Sequence, residues 1–462
     1  MARINDLGRD RIGPLLWRLV VPATTAQLVN ALYNIVDRIY IGRLPGEGSL
    51  ALTGLGVCFP ILMLITALSS LIGTGGGARA SIYMGENDTE HAERILGTCT
   101  TSLVILAVVS TILLQIFCEP MLMLFGGSSD TIGYATDYMR IYLCGSLFVL
   151  FSLGLNPFLT AQGFTNIAMK TVIIGAICNI VLDPIFIYLF DMGVRGAALA
   201  TILSQLVSML WVLRFLTGTV TKLKLRRAYL RLDWKVLAPV LALGVSPFVM
   251  QGSESLLIVA FNASLKYYGG DLAVGAMTIV SSISQVRTMI LQGVAQGAQP
   301  ILGYNYGAGN SDRVCKAFRL AFISSLLLSV FLWLIVFLFP TFFVHLFNSE
   351  NPELTEYSVW ALNIYSATLF VMGAQFTCQQ SFLALGQAKV SLIMAVLRKF
   401  ILLIPLILIL PFFFTDKVFA VFLAEPIADF IAAAVTCITF FFCLPRILSK
   451  REATLAQQKQ DH

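Results

Sequence analysis

Asp37 and Asp183 stand in otherwise apolar stretches, in company with Tyr138, Asn179 and Thr201. Asn179 and Asp183 are four residues apart, so a helix puts them on one face. Pro184 follows at once; it has no backbone N–H to donate and would kink that helix, freeing carbonyls beside Asp183. In a low-dielectric medium two neighbouring carboxyls favour protonation of one of them, or binding of a small cation. This is coupling chemistry: H+ taken up by an acid, or Na+ held by Asp37, Asn179, Asp183 and Thr201. The plainer alternative is that Asp37 pairs with an Arg and only ties helices together. Other ionisable residues in apolar stretches are Arg38, Asp137, Arg140, Glu254, Arg287, Arg398, Lys399, Glu425 and Asp429. Such groups are costly to bury in a membrane and are functional candidates by default. Arg38 and Arg140 read as structural partners or interface anchors. Glu254, in Gln251-Gly252-Ser253-Glu254, is a candidate for a cation or a cationic substrate, with hydrogen bonding to polar neighbours as the alternative. Gln285 and Arg287 accompany it in Ser284-Gln285-Val286-Arg287, where Arg287 is expected to pair with a carboxylate.

The elements that must position these groups follow from composition. The chain has 462 residues, 57% of them hydrophobic and 12% charged. A soluble domain carries roughly 25% charged residues. This excludes a water-covered enzyme, a disordered chain, a disulfide scaffold and a nucleic-acid binder. The nine Cys form no CxxC and read as small packing residues, and His91, His345 and His462 are far apart. A helix needs about 20 apolar residues to cross ~30 Å of hydrocarbon. By that measure the sequence predicts twelve spans: 14–41, 50–75, 92–117, 131–155, 164–190, 195–216, 236–266, 272–300, 314–340, 354–378, 390–413 and 417–445.

Lys and Arg in the connections set the orientation. Arg3, Arg9 and Arg11 precede helix 1; Lys222, Lys224, Arg226, Arg227, Arg231 and Lys235 follow helix 6. Arg313, Lys316 and Arg319 follow helix 8, Lys389 follows helix 10, and Arg446, Lys450 and Arg451 follow helix 12. The links after helices 3 (119–130) and 9 (348–356) have no Lys or Arg, and the second holds three Glu. Both termini are therefore expected in the cytoplasm. Asp37 then lies five residues before Gly42 at the outer end of helix 1, and Asp183 eight before Asp191 at the outer end of helix 5. Tyr138 and Thr201 sit near the outer starts of helices 4 and 6. At 1.5 Å per residue these groups share one layer, roughly 7–12 Å from the outer ends.

The two halves repeat. Tyr83-Met84-Gly85-Glu86-Asn87 ends helix 2 as Asn305-Tyr306-Gly307-Ala308-Gly309 ends helix 8, and Gly163-Phe164-Thr165-Asn166 parallels Gly386-Gln387-Ala388-Lys389, each about 222 residues on. Six helices per half give both halves one orientation and an expected pseudo-twofold axis along the membrane normal, as in transporters whose halves rock about a central cavity. The division is 1–217 for the first lobe, 218–235 for a basic link read as a hinge, 236–445 for the second lobe and 446–462 for a tail. The link is also a candidate contact for anionic lipid. No GxxxxGK[ST], GxSxG or HExxH is present. Gly73-Thr74-Gly75-Gly76-Gly77 lacks the phosphate-loop Lys and reads as close helix packing. A transporter driven by an ion gradient, not an enzyme, is the expectation.

Three stretches then carry a resemblance: Asn30-Ala31-Leu32-Tyr33-Asn34-Ile35-Val36-Asp37-Arg38 with Gly42; Gly297-Ala298-Gln299-Pro300 with Gly303-Tyr304-Asn305-Tyr306-Gly307-Ala308-Gly309; and Asn179-Ile180-Val181-Leu182-Asp183-Pro184 with Gly196-Ala197-Ala198-Leu199-Ala200-Thr201. Over nearly its full length the chain resembles the multidrug and toxic compound extrusion (MATE) family, most closely bacterial DinF-like and MepA-like members. The resemblance implies an all-α polytopic protein of twelve helices in two six-helix lobes forming a V. It implies export of organic, often cationic, amphipathic compounds against inward H+ or Na+, with no cofactor, by a monomer in the bacterial cytoplasmic membrane. The family's coupling residues carry over onto Asp37, Tyr138, Asn179, Asp183 and Thr201, with Asn156 in the same polar network. In the NorM-like branch a second-lobe cation site uses a helix 7 Glu, matched by Glu254, and a helix 10 Asp. Helix 10 here reads Tyr365-Ser366-Ala367-Thr368 and departs from that pattern. The competing reading is a flippase for a lipid-linked saccharide, which asks for a basic, lipid-accessible cavity. A signalling or scaffold role fits poorly with buried carboxylates and no sizeable extramembrane domain.

Overall fold

The computed structural model describes residues 5–44, 48–347 and 351–460. Arg3 of the basic tail, 348–350 of the acidic link and His462 lie outside them. The described residues form helices and no strand. The membrane helices are α1 (Ile12–Gly42), α2 (Gly48–Gly85), α3 (Thr89–Ile116), α4 (Ile132–Cys144 with Ser146–Ala161, bent by 60°), α5 (Thr165–Leu189) and α6 (Gly193–Leu216). A 74-residue helical run, Trp234–Gly307, comes next. As one straight helix it would be ~110 Å long, over three times the hydrocarbon thickness. Gly270, at φ 66° and ψ −157°, breaks it into α7 (234–269) and α8 (271–307). Only glycine adopts such a backbone freely. Then come α9 (Ser311–Leu338), α10 (Pro352–Tyr365 with Leu369–Ala384, bent by 50°), α11 (Ala388–Phe412) and α12 (Lys417–Gln460). The described residues thus hold the twelve membrane helices that the apolar spans predict.

The chain packs into two compact units. Leu7–Thr24 of α1 belongs to the second unit and the rest of α1 to the first; α7 belongs to the first unit up to Gly252 and to the second from Ser253. Each unit therefore takes in part of a helix that chain order assigns to the other half.

In the first unit the glycines of α2 allow close approach. A Cβ on Gly73 would meet the Gly154 backbone of α4, one on Gly75 the backbone of Val240 and Gly244 on α7, and one on Gly77 the Pro157 backbone. The glycine run thus serves helix packing, with Phe158 filling the space over Gly76. The link after α6 is no loose tether. Gln162 Oε1 accepts the amides of Lys222 (2.8 Å) and Leu223 (3.0 Å). Glu93 accepts the Lys224 amide (3.0 Å) and pairs with Arg226 (2.6 Å). Burial here holds the Lys222 ammonium below the usual lysine value, against an opposing pull from Asp6. Backbone amides anchored on buried acceptors make 218–235 part of the first unit.

In the second unit Phe318, Phe382 and Phe440 centre one apolar cluster, and Phe261, Leu403 and Phe422 another. Arg313 fastens the chain start to the end of α8: it donates to Asn305 Oδ1 (2.9 Å) and to the carbonyls of Leu7 (3.1 Å) and Asp10 (2.8 Å). The expected tail from 446 continues α12 as helix to Gln460. Its Arg451 donates to the Tyr306 (3.2 Å) and Gly307 (2.7 Å) carbonyls, satisfying acceptors that the last turn of α8 leaves open.

Candidate functional site

Asn179 and Asp183 lie one turn apart on α5, both buried. The Asn179 amide donates to Asp183 Oδ1 (3.1 Å) and to Thr201 Oγ1 on α6 (3.4 Å). Pro184 closes the regular part of α5, and a π-helical turn, Ile185–Leu189, follows. Such turns are frequent at functional sites. Tyr188 on that turn donates to the Tyr40 carbonyl of α1 (2.7 Å), and the two rings meet edge to face at 6.3 Å. These contacts bring the two acid-bearing helices together. Asp37 on α1 is buried and lies within electrostatic reach of Asp183. Tyr138, buried on α4, lies within electrostatic reach of Asp37. The five residues picked from spacing thus form one constellation in the first unit.

The acceptors here exceed the donors. Asp37 Oδ1, Asn179 Oδ1 and Asp183 Oδ2 are buried with no hydrogen-bond partner among the described residues. Asp37 has no ion pair among the described residues; the neighbouring Arg38 is exposed and stands over the Phe59 ring at 5.8 Å. The alternative of an Asp37–Arg tie therefore finds no partner. Asp137 pairs instead with Arg195 at the exposed start of α6 (3.0 Å), and Arg140 is exposed. Burying a carboxylate without compensation is costly, so an array of open carboxyl and amide oxygens suits a proton or a small hard cation. Asn156 stands apart from this hydrogen-bonded set: its amide donates to the Ala168 carbonyl (3.4 Å). Two residues escaped the reading from spacing. Tyr33 lies within electrostatic reach of Asp37 and Asp183, and Tyr142 stacks on Tyr138 with ring centroids 6.0 Å apart. Each is one helical turn from a residue already singled out, which was the available signal.

The second unit holds a different charge arrangement. Arg398 donates to Asp429 Oδ1 (2.7 Å) and Glu425 Oε1 (3.3 Å) of α12. Lys399 donates to Glu254 Oε1 of α7 (2.7 Å). Both cations sit on a π-helical segment of α11, Leu397–Leu403. Glu254, the sequence candidate for a cation, thus already faces an internal ammonium, while its side chain keeps 50% exposure. Arg287 is buried and, contrary to expectation, forms no ion pair among the described residues: it donates to Ser284 Oγ (3.1 Å), with Asp429 and Glu425 in electrostatic reach. Its Nε and Nη1 have no hydrogen-bond partner among the described residues. Gln285 is exposed.

The family model MatE matches residues 22–185 and again 248–409. The chain belongs to the MatE family. Among curated MatE-like relatives, Multidrug export protein MepA of Staphylococcus haemolyticus (strain JCSC1435) is 23% identical over 414 residues, covering 89% of this chain and 90% of the relative. MepA of Staphylococcus saprophyticus subsp. saprophyticus is 25% identical over 410 residues, covering 88% and 89%. A crystal structure of MATE in complex with MaL6 matches with a TM-score of 0.90 at 24% identity, covering 97% of this chain and 99% of that one. At that identity the likeness establishes the fold.

Proposed function

We propose that this chain is a secondary active antiporter of the bacterial cytoplasmic membrane, with both termini in the cytoplasm, that exports organic, amphipathic, often cationic compounds in exchange for inward H+ or Na+. The observation that carries this reading is the set of open buried oxygens on Asp37, Asn179 and Asp183. The name multidrug export protein borne by the MepA relatives supports the substrate class. Asp37 and Asp183 take the coupling ion, Asn179, itself placed by Thr201, holds Asp183, and Tyr138 walls the site. In the second lobe Glu254, Gln285 and Arg287 are the candidates for meeting substrate. Ion and substrate need only oppose each other's binding for one gradient to drive the other. The flippase alternative calls for unpaired basic groups; of the three buried ones, Arg398 and Lys399 are engaged by carboxylates and only Arg287 lacks an ion pair among the described residues.

The test is transport in proteoliposomes loaded with a cationic dye such as ethidium, with a pH gradient and a Na+ gradient imposed separately. One of the two is expected to drive dye movement against its own gradient. Dye movement that ignores both gradients sinks the antiport reading.

A further inference from the structure

We infer that the second unit carries a binding site for the phosphate of an anionic phospholipid, in a cavity where α12 leaves the membrane. The cavity has a volume of about 320 Å³, about ten times a water molecule's share of liquid volume. Arg446, Lys450 and Arg451 of α12 line it, with Gln387 at the start of α11 and Tyr306 near the end of α8. No carboxylate is among its lining residues in the described part of the chain. Arg446 and Lys450 are four apart and share one face of α12. Both are exposed, and neither forms an ion pair among the described residues. Arg451 is different. The α8 carbonyls and the Tyr306 ring hold its guanidinium in place, so its charge is fixed at the cavity wall. Helix α11 starts here with no side chain capping its first turn, which adds the positive end of a helix dipole.

Position favours a lipid over free phosphate. The exposed Phe441 and Phe442 mark hydrocarbon level, and the first charged residue, Arg446, follows within about one turn. Cys443 and Ile447 give the same cavity an apolar side that suits a glycerol backbone and the first acyl carbons. Basic pockets between helices at this level are suited to lipid head groups. Arg forks onto a phosphate through two parallel hydrogen bonds while Lys adds a point charge.

The test uses the full chain in nanodiscs of phosphatidylcholine with a minor share of phosphatidylglycerol, and reads co-purifying lipid by native mass spectrometry. Wild type is expected to retain phosphatidylglycerol over phosphatidylcholine. Arg446→Gln with Lys450→Gln should lower that retention roughly tenfold or more. Lys316→Gln with Arg319→Gln, which removes the same charge from exposed positions near the start of α9, should leave it unchanged. Equal loss in both double variants would mean diffuse surface attraction and overturn the site. So would unchanged retention in the Arg446/Lys450 variant, or displacement of the lipid by millimolar inorganic phosphate with no preference for a head group.

Discussion

Cells producing the Asp37→Asn variant are expected to retain a cationic dye as fully as cells without the transporter, at equal membrane abundance. The substitution keeps the size of the side chain and removes its ability to gain and lose a proton or to neutralise Na+. One elementary charge crossing 100 mV is worth about 2.3 kcal/mol, which corresponds to a concentration ratio of roughly 50. A carrier whose site no longer exchanges the ion has no access to that driving force. It can only equilibrate its cargo, so outward accumulation should collapse to a ratio near unity. Asp37 is well suited to show the effect cleanly. Among the described residues its Oδ1 has no hydrogen-bond partner and no Arg or Lys is paired with it, so the amide breaks no ion pair. Undiminished efflux at equal abundance would remove Asp37 from the coupling role.

Arg398→Met should unfold the second unit most readily among single changes to its charged interior. Arg398, Glu425 and Asp429 are all buried. Removing the guanidinium leaves two buried carboxylates one helical turn apart without an ion pair among the described residues. Breaking a buried ion pair from one side costs about 3–5 kcal/mol. The thermal midpoint of the purified variant should fall well below that of wild type. Adding Glu425→Gln and Asp429→Asn should recover much of the loss, because the unpaired charges disappear with the cation. A single Arg398→Met variant as stable as wild type would show that the pairings contribute little. Lack of recovery in the triple variant would place the cost in packing.

The fold was readable because each requirement leaves a mark in the chain. A span must hold about 20 apolar residues, and the break at Gly270 falls in the gap between the spans 236–266 and 272–300. The clustering in the first unit was readable for a similar reason: Asp37, Tyr138, Asn179, Asp183 and Thr201 stand alone in apolar surroundings at one counted depth. The partners of the second-unit charges were not. Arg398 and Lys399 are neighbours in sequence, and a regular helix points such a pair about 100° apart. Only the π-helical segment Leu397–Leu403 and the placing of α7 and α12 around it decide that one meets Asp429 and the other Glu254. Arg287 misled because its bond to Ser284 lies within its own helix, where a carboxylate was expected from another. The fastening of 218–235 on Gln162 and Glu93 left no periodic trace, since it runs largely through backbone amides that any sequence supplies, with Arg226 adding one side-chain pair. The length of α12 was hidden by its charged end, which the Arg451 contact with α8 supports.

The most direct test of the coupling site is substrate affinity measured against the ion. The dissociation constant of a cationic dye would be titrated at a series of pH values at fixed Na+, then of Na+ concentrations at fixed pH, for wild type and for Asp37→Asn with Asp183→Asn. Wild type is expected to bind dye more weakly as H+ or Na+ rises, and the double variant to bind with one affinity throughout. An ion dependence that survives intact in the double variant would contradict the assignment of the exchange to these two carboxyls.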